Sequence, residues 1–423
     1  MDPELERRIR HFAGFPAKGV SLSDMVQFGH YPNDGVLFRA SQFVCEELPI
    51  RLAHRIQELA SLPHSLGTMP SIRRVSDWYV QSFAELTAVR APQLSEEVKG
   101  WLYYSTKRQK FAISVRPEYG IKQEDPTQEG GVVGAGAGRS YYVPISDSYQ
   151  QWPVEVQDYN QSVTKALQKI KARHDGVVAT VAQGVVEWKK SPFYVSDEHN
   201  VQEFLDKFYM SRIGIRMLIG QQIALNLDRG LRSDYVGIIC TDTNVKEEAQ
   251  IAVDNARFIC EDWYGLFEAP KVILHSNAEY INFMYVPGHL SHIVFELVKN
   301  SLRAVVESYG VECESFPPVK VVIAQGEEDI TIKISDEGGG IPRRHMDQVW
   351  TYMYTSAEDT PTLEHDANHS DFRAPLAGFG YGLPISRLYA RYFGGDLRII
   401  SMEGYGTDAY LHLNRLLSGP EPV

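Results

Sequence analysis

Near residue 227 the spacing of apolar side chains changes its period, and that change restricts the chain to a two-part architecture. From about Asp24 to Asn226, apolar residues recur at three- and four-residue steps in CEELPIRLAHRIQELASLP, SIRRVSDWYVQSFAELTAV, YNQSVTKALQKIKARHDGVVATVAQGVVEWKK and NVQEFLDKFYMSRIGIRMLIGQQIALNL. Long helices with apolar stripes must bury them against one another, so this part predicts an antiparallel helical bundle. Beyond Leu227, strand-like segments (DYVGIIC, KVILH, INFMYVP) alternate with a helix through EEAQIAVDNARFICEDWYG. A helix from Leu290 to Tyr309, a hairpin from VKVVIA to DITIKIS, a helix from Pro384 to Phe393, and strands DLRIISME and TDAYLHL complete the pattern. The chain therefore reads as α+β, with helices layered on a sheet after the bundle. The expected boundary lies between Asp228 and Ser233, giving domains 1–230 and 231–423. A length of 423 residues agrees, since it exceeds what one hydrophobic core usually serves.

Composition excludes several classes. No apolar run approaches the length of a bilayer span, and 43% hydrophobic with 23% charged residues is ordinary for a globular protein. A formal net charge of -12 argues against a broad nucleic-acid surface, which needs a basic face to neutralise phosphates. Cys45, Cys240, Cys260 and Cys313 show no CxxC spacing, so neither a zinc site nor a disulfide framework is expected. The opening MDPELERRIR lacks the apolar core of a secretory signal and carries acids that transit peptides avoid.

Between the second and third helical stretches, Arg116 to Tyr149 has no apolar period and contains GGVVGAGAG. Without the Lys-Ser/Thr of a P-loop, this glycine run predicts a long mobile insertion and not a phosphate site.

The chemistry concentrates in the last third. In HLSHIVFELVKNSLRAVVE, one stripe is apolar, and another carries His292, Glu296, Asn300, Arg303 and Glu307 at steps of three or four. Such a stripe is either a solvated face or one wall of a site. The strand ITIKIS then runs into Asp336, followed by Glu337 and Gly338 to Gly340. A carboxylate at a strand end beside glycines can accept a hydrogen bond from an amino group on a flat ring that backbone approaches closely. GFGYGLP places Gly378, Gly380 and Gly382 just before Pro384, and N–H groups at a helix start suit polyphosphate. Gly404 to Thr407, reading GYGT, open the last strand.

These four boxes, in this order, resemble the nucleotide site shared by histidine kinases, one class of heat-shock chaperones and type II topoisomerases. YVPGHLSHIVFELVKNSLRAVVE, GFGYGLPISRLYARYFGGDL and SMEGYGTDA are similar more narrowly to the mitochondrial pyruvate dehydrogenase kinases. The similarity extends upstream through DWYVQS, VATVAQGVVEWKK and FLDKFYMSRIGIRML. The resemblance implies a histidine-kinase-like (GHKL) α/β sandwich after the bundle. It also implies a kinase that phosphorylates a serine of the E1α subunit of the dehydrogenase complex, a docking site for the E2 lipoyl domain, a homodimer and a place in the mitochondrial matrix.

By the same resemblance, Glu296 is the general base and His292, one turn earlier, tunes it. Asn300 holds Mg2+ on the phosphates, Asp336 accepts from the adenine amino group, and Thr407 lies beside the adenine. Gly338 and Gly340, just after Asp336, belong to the same cofactor site, and Gly378, Phe379, Gly380, Tyr381, Gly382 and Leu383 wrap the phosphates. Thr355 and Ser356 match a nucleotide-contacting pair with its order exchanged. ATP and Mg2+ are the implied cofactors, with K+ as a further candidate ion. Lys299 and Arg303 either add positive charge to the nucleotide site or form surface ion pairs.

In the bundle, Leu52, Tyr79, Ser82, His174, Arg212 and Arg216 fall where these kinases hold pyruvate-like acids; the alternative is packing and interhelical ion pairs. His174 is followed by Asp175-Gly176-Val177, not by the acidic residue and downstream proline of a phosphoacceptor box. The relatives' Asp-Trp tail has no counterpart in LNRLLSGPEPV. Two other functions compete: a branched-chain α-ketoacid dehydrogenase kinase, sharing every nucleotide residue, and a non-kinase ATPase or ATP-binding scaffold.

Overall fold

The computed structural model describes residues 2–29, 32–62, 65–103, 142, 145, 151–192, 194, 198–228, 232–354, 380–415 and 421–422. Eight helices come first: α1 (Pro3–Ala13), α2 (Leu22–Val26), α3 (Asp34–Ala60), α4 (Pro70–Ala88), α5 (Glu96–Tyr103), α6 (Val154–Arg173), α7 (Val177–Lys190) and α8 (Glu198–Leu227). They are followed by β1 (Tyr235–Val236), β2 (Ile239–Asn244), α9 (Val245–Tyr264), β3 (Val272–Ser276), β4 (Asn282–Tyr285) and α10 (Pro287–Tyr309). β5 (Val319–Gln325), β6 (Asp329–Asp336), α11 (Gly382–Tyr392), β7 (Asp396–Met402) and β8 (Gly406–Asn414) complete the order.

α3 is the centre of the helical part. Asn33 starts it by accepting from the Val36 amide at 2.8 Å, an N-cap bond that satisfies an otherwise orphan donor. Its residues are buried on nearly every side, because α1, α4, α5, α6 and α8 all pack against it. Helices α1, α2 and α5 add to the expected set. Of the expected insertion, only Tyr142 and Ile145 lie among the described residues: Ile145 is buried, and Tyr142 meets Phe28 edge-on at 5.2 Å.

The last part is the expected layer of helices on a sheet. Five strands run in the order β3-β5-β6-β8-β7, with β3 parallel to β5 and the other pairs antiparallel. Strict alternation along β6 buries Ile330, Ile332, Ile334 and Asp336 on one face. The helix α10 packs on that face, so the pleat that buries the isoleucines also delivers Asp336 beneath the helix. Opposite it, the β6–β8 register pairs Asp336 with Thr407. Pro287 occupies the first turn of α10, where its missing N–H costs nothing. Along α10, Leu290, Ile293, Val294, Leu297, Val298 and Val305 are buried, as the stripe predicted.

Two hydrophobic cores result, one centred on the bundle and one between α9, α10 and the large sheet. They are not separate: Val286, Tyr352, Tyr381, Leu388 and Tyr392 bury into the first core, while Tyr389 and Phe393 of or beside α11 pack against both. Among the described residues, no helix is long and apolar enough to cross a membrane.

Candidate active site

A cleft of about 490 Å3 opens between α10, the turn after β6 and the start of α11. It gathers Glu296, Lys299, Asn300 and Arg303 from α10, Asp336, Gly338 and Gly340 from β6 and its turn, Gly380, Gly382 and Leu383 around the α11 start, and Thr407 from β8. From Glu296 onward the polar stripe of α10 is thus a wall of the cleft rather than an open solvated face.

At one end sits Asp336. Its Oδ2 accepts from the Ser301 hydroxyl at 2.9 Å, and its Oδ1 from the amides of Gly338 at 3.0 Å and Thr407 at 3.3 Å. Burial pushes its carboxyl upward, and these three donors oppose the shift. Sequence spacing missed Ser301, which points to the strand end and not along the polar stripe.

The neighbouring glycines are required by space. A Cβ on Gly340, whose φ is +72°, would lie 2.1 Å from the Met402 carbonyl oxygen, and one on Gly338 would lie 2.6 Å from the Ala304 Cβ. The turn is therefore pressed between α10 and the β7–β8 hairpin, where the Gly339 amide donates to the Tyr405 carbonyl and the Gly404 amide donates to the Gly339 carbonyl.

At the other end, Glu296 is buried and its Oε1 accepts from Lys299 Nζ at 2.8 Å. Burial alone would push this carboxyl up, yet Lys299 and His292 outweigh it and hold the carboxyl below its ordinary range. Lys299 is only 2% exposed, so its pairing is a buried one and not a surface ion pair. Arg303 lies 3.5 Å from Glu307. Gly382 leaves room for the base: a Cβ there would come within 2.1 Å of Glu296 Oε2.

Two predicted residues sit elsewhere. His292 is outside the cleft wall, one turn before Glu296, with its ring against Tyr389 at 5.2 Å. Tyr381 is buried, its ring 5.3 Å from Tyr352 and 5.7 Å from Tyr209, so its side chain packs into the core. Thr355, Ser356, Gly378 and Phe379 lie outside the described residues.

The cleft fits an adenine nucleotide. A buried carboxylate with apolar Ile341, Val349 and Ile399 nearby suits a flat ring bearing an amino group. Asn300 and Arg303 add an amide group and a cation to the same lining. Among the described residues no cluster of three or more His, Cys, Asp or Glu is placed to hold a metal. Mg2+ does not need one, since it is commonly held by one or two protein oxygens together with substrate phosphates and water.

In the bundle the six predicted residues form one neighbourhood. Tyr79 stacks on His174 at 4.5 Å, and Ser82 Oγ lies 3.0 Å from His174 Nε2. Arg212 donates to the His174 carbonyl at 3.2 Å, Arg216 to Asp175 at 2.8 Å, and Leu52 is buried in the same core. The Tyr79 hydroxyl and His174 Nδ1 are buried with no hydrogen-bond partner among the described residues. Burial first, then Arg212, Arg173 and Arg216, push the His174 imidazole down to about 3, so it is neutral at physiological pH. α8 also reaches the cleft's edge: Gln202 accepts from the Tyr352 amide at 2.7 Å and Asp206 accepts from the Tyr352 hydroxyl at 2.7 Å.

The sheet with its helix-borne Asn300 and glycine-lined cleft defines a nucleotide-binding domain, and residues 285–416 match the family described as histidine kinase-, DNA gyrase B- and HSP90-like ATPase. Residues 19–240 match the family model described as mitochondrial branched-chain alpha-ketoacid dehydrogenase kinase. Over nearly the whole chain, the sequence is 43% identical to the mitochondrial pyruvate dehydrogenase (acetyl-transferring) kinase of Schizosaccharomyces pombe, covering 99% of this chain and 98% of that one. It is 39% identical to the kinase of the same name from Arabidopsis thaliana (96% and 92%) and 37% identical to human isozyme 3 (97% and 86%). The chain belongs to the mitochondrial pyruvate dehydrogenase kinase family.

Proposed function

We propose that this protein is an ATP-dependent protein-serine kinase that phosphorylates and inactivates the E1α subunit of the pyruvate dehydrogenase complex. The observation that carries the reading is a buried carboxylate, Glu296, one helical turn from Asn300 in the same cleft. Glu296 takes the proton from the substrate serine as that oxygen attacks the terminal phosphorus of ATP, while the bond from that phosphorus to the β–γ bridging oxygen breaks and ADP leaves. Asn300 would hold Mg2+, which when bound would neutralise phosphate charge. Asp336 receives the adenine amino group beside Thr407, and Gly338, Gly340, Gly380, Gly382 and Leu383 line the nucleotide. Arg303 adds positive charge; K+ is a further proposed ion with no residue assigned.

The same reading divides the chain into a bundle over 1–230 and a kinase domain over 231–423. It places the protein in the mitochondrial matrix, docked through the bundle to an E2 lipoyl domain, as a homodimer. Tyr79, Ser82, His174, Arg212 and Arg216, with Leu52 behind them, receive a pyruvate-like acid. The buried Tyr79 hydroxyl and His174 Nδ1 supply polar atoms awaiting a partner, and the arginines supply charge for its carboxylate.

A branched-chain kinase is the second reading, favoured by the description of the family matched over 19–240. Purified E1 components of both complexes, incubated with radiolabelled ATP, separate the two. Label in the pyruvate dehydrogenase E1α serine is expected, and label only in the branched-chain E1 overturns the assignment. Glu296→Gln is expected to abolish transfer while nucleotide still binds.

A further inference from the structure

Lys299 was expected either to add positive charge to the nucleotide site or to form a surface ion pair, and its ion pair is a buried one. It is buried, its Nζ lies 2.8 Å from Glu296 Oε1, and the cation stands 5.3 Å from the Phe295 ring centre. The two oxygens of Glu296 are thereby made different. Oε1 is tethered, whereas Oε2 has no hydrogen-bond donor among the described residues and faces the Gly382 backbone, where any side chain would collide with it.

We infer that Lys299 is a positioning residue for the transfer: its ammonium group keeps the Glu296 carboxylate ionised and fixes it through Oε1, so that Oε2 is the oxygen that takes the serine proton. The inference rests on the reading of Glu296 as the base. An isolated carboxylate this deeply buried would hold its proton at neutral pH, and a protonated glutamic acid cannot accept another. The groups facing it are few. Lys299 and His292 act on it from α10, and α11 brings only the backbone of Gly382. Of the two, only Lys299 forms a hydrogen bond with the carboxylate. Its ion pair bridges positions i and i+3 of one helix, so it is set by α10 alone and exists before any nucleotide arrives.

The test uses the full-length protein with Lys299→Met, Lys299→Arg and, as a spectroscopic reference, Glu296→Gln. Infrared difference spectra, wild type minus Glu296→Gln, isolate the Glu296 carboxyl without nucleotide or E1. The wild type and Lys299→Arg are expected to show an ionised carboxylate at pH 7, and Lys299→Met a protonated acid. With E1α and ATP, the acid limb of the kcat profile is expected to move to higher pH in Lys299→Met, lowering kcat at pH 6.5 by about tenfold or more, while Lys299→Arg keeps the wild-type limb. If Lys299→Met does not fold, Lys299→Gln, also uncharged, gives the same contrast.

An ionised Glu296 in the folded, uncharged variant overturns the inference. So does a variant whose KM for ATP rises while its kcat profile stays in place, because Lys299 would then only bind phosphate. Failure of the kinase reading itself is seen separately, as a wild-type protein that transfers no label to E1α whatever the infrared spectra show.

Discussion

Arg51 and Glu421 form a buried ion pair although 370 positions separate them. Glu421 Oε1 also accepts from the Val20 amide at 3.1 Å, and its Oε2 accepts from the hydroxyl of Tyr392 at the end of α11. Arg51 further donates to the Lys18 carbonyl at 2.7 Å and to Glu47 at 3.2 Å. Gly214 of α8 makes the space, since a Cβ there would stand 2.9 Å from both partners. One carboxylate thus ties α3 and the 18–20 segment to the nucleotide-binding part of the chain.

Breaking a buried pair leaves the other charge uncompensated, which costs more than the pair itself contributes. Arg51→Met removes the guanidinium that pairs with two buried carboxylates, Glu47 and Glu421, and is expected to lower unfolding free energy by about 3–5 kcal/mol. Glu421→Gln leaves Arg51 its bond to Glu47 and is expected to cost about 1–3 kcal/mol. Chemical denaturation of both variants checks the order; equal stabilities for the two, or for either and the wild type, would contradict it.

The nucleotide end of the cleft predicts a graded series. Asp336→Ala removes the acceptor for Ser301, Gly338 and Thr407 together with the proposed adenine contact. It is expected to weaken ADP binding by at least about tenfold, the size of one lost hydrogen bond to a charged group. Ser301→Ala frees one carboxylate oxygen but keeps the charge, and is expected to weaken binding by less. Calorimetric titration of each variant with Mg-ADP measures the series, and an Asp336→Ala protein that binds as tightly as wild type would remove Asp336 from the site.

Much of this was legible in the sequence, for physical reasons that differ by element. The β6 alternation placed Asp336 on the buried face, and helical period placed Glu296 and Asn300 on one wall, because both rest on local geometry. The burial of the Tyr381 ring was not legible, because its glycine neighbours set only the backbone, while the direction of the ring depends on Tyr209 from α8. Ser301, Gln202 and Glu421 were invisible for the same reason: each acts on a partner 35 or more positions away. Lys299 shows the finer limit, since its spacing from Glu296 was plain and only burial decides that the pair is dry.

Two histidines, His174 buried and His289 partly buried, predict acid sensitivity. Burial chiefly, with Arg212 and other cations for His174 and with His292 and Arg216 for His289, pushes both imidazoles down to about 3 from an ordinary value near 6.5. Below pH 6.5 the unfolded chain binds protons that the folded chain refuses, so stability is fully present above that pH and falls as pH drops toward 3. Each histidine contributes up to about 1.4 kcal/mol per pH unit across that window. Thermal unfolding between pH 7.5 and pH 5 is expected to show a falling Tm, with a shallower slope in His174→Asn. An unchanged slope in that variant would show that His174 titrates normally.

Tyr79 gives a prediction in which stability and regulation move in opposite directions. Its hydroxyl is buried without a partner among the described residues, and burial first of all pushes it up to about 12 despite Arg212, Arg55 and Arg216 nearby. An unsatisfied buried hydroxyl costs free energy, so Tyr79→Phe is expected to leave stability unchanged or to raise it by up to about 1 kcal/mol. If the hydroxyl's partner is instead the carboxylate of a bound pyruvate-like acid, the same change removes one donor from a site whose arginines remain. The concentration of pyruvate giving half-inhibition of E1α phosphorylation is then expected to rise by about five- to tenfold. Denaturation and inhibition curves on the same preparation test both halves. A Tyr79→Phe protein of wild-type pyruvate sensitivity would place the acid elsewhere in the bundle, and one that is strongly destabilised would mean that the hydroxyl already has a partner in the folded chain.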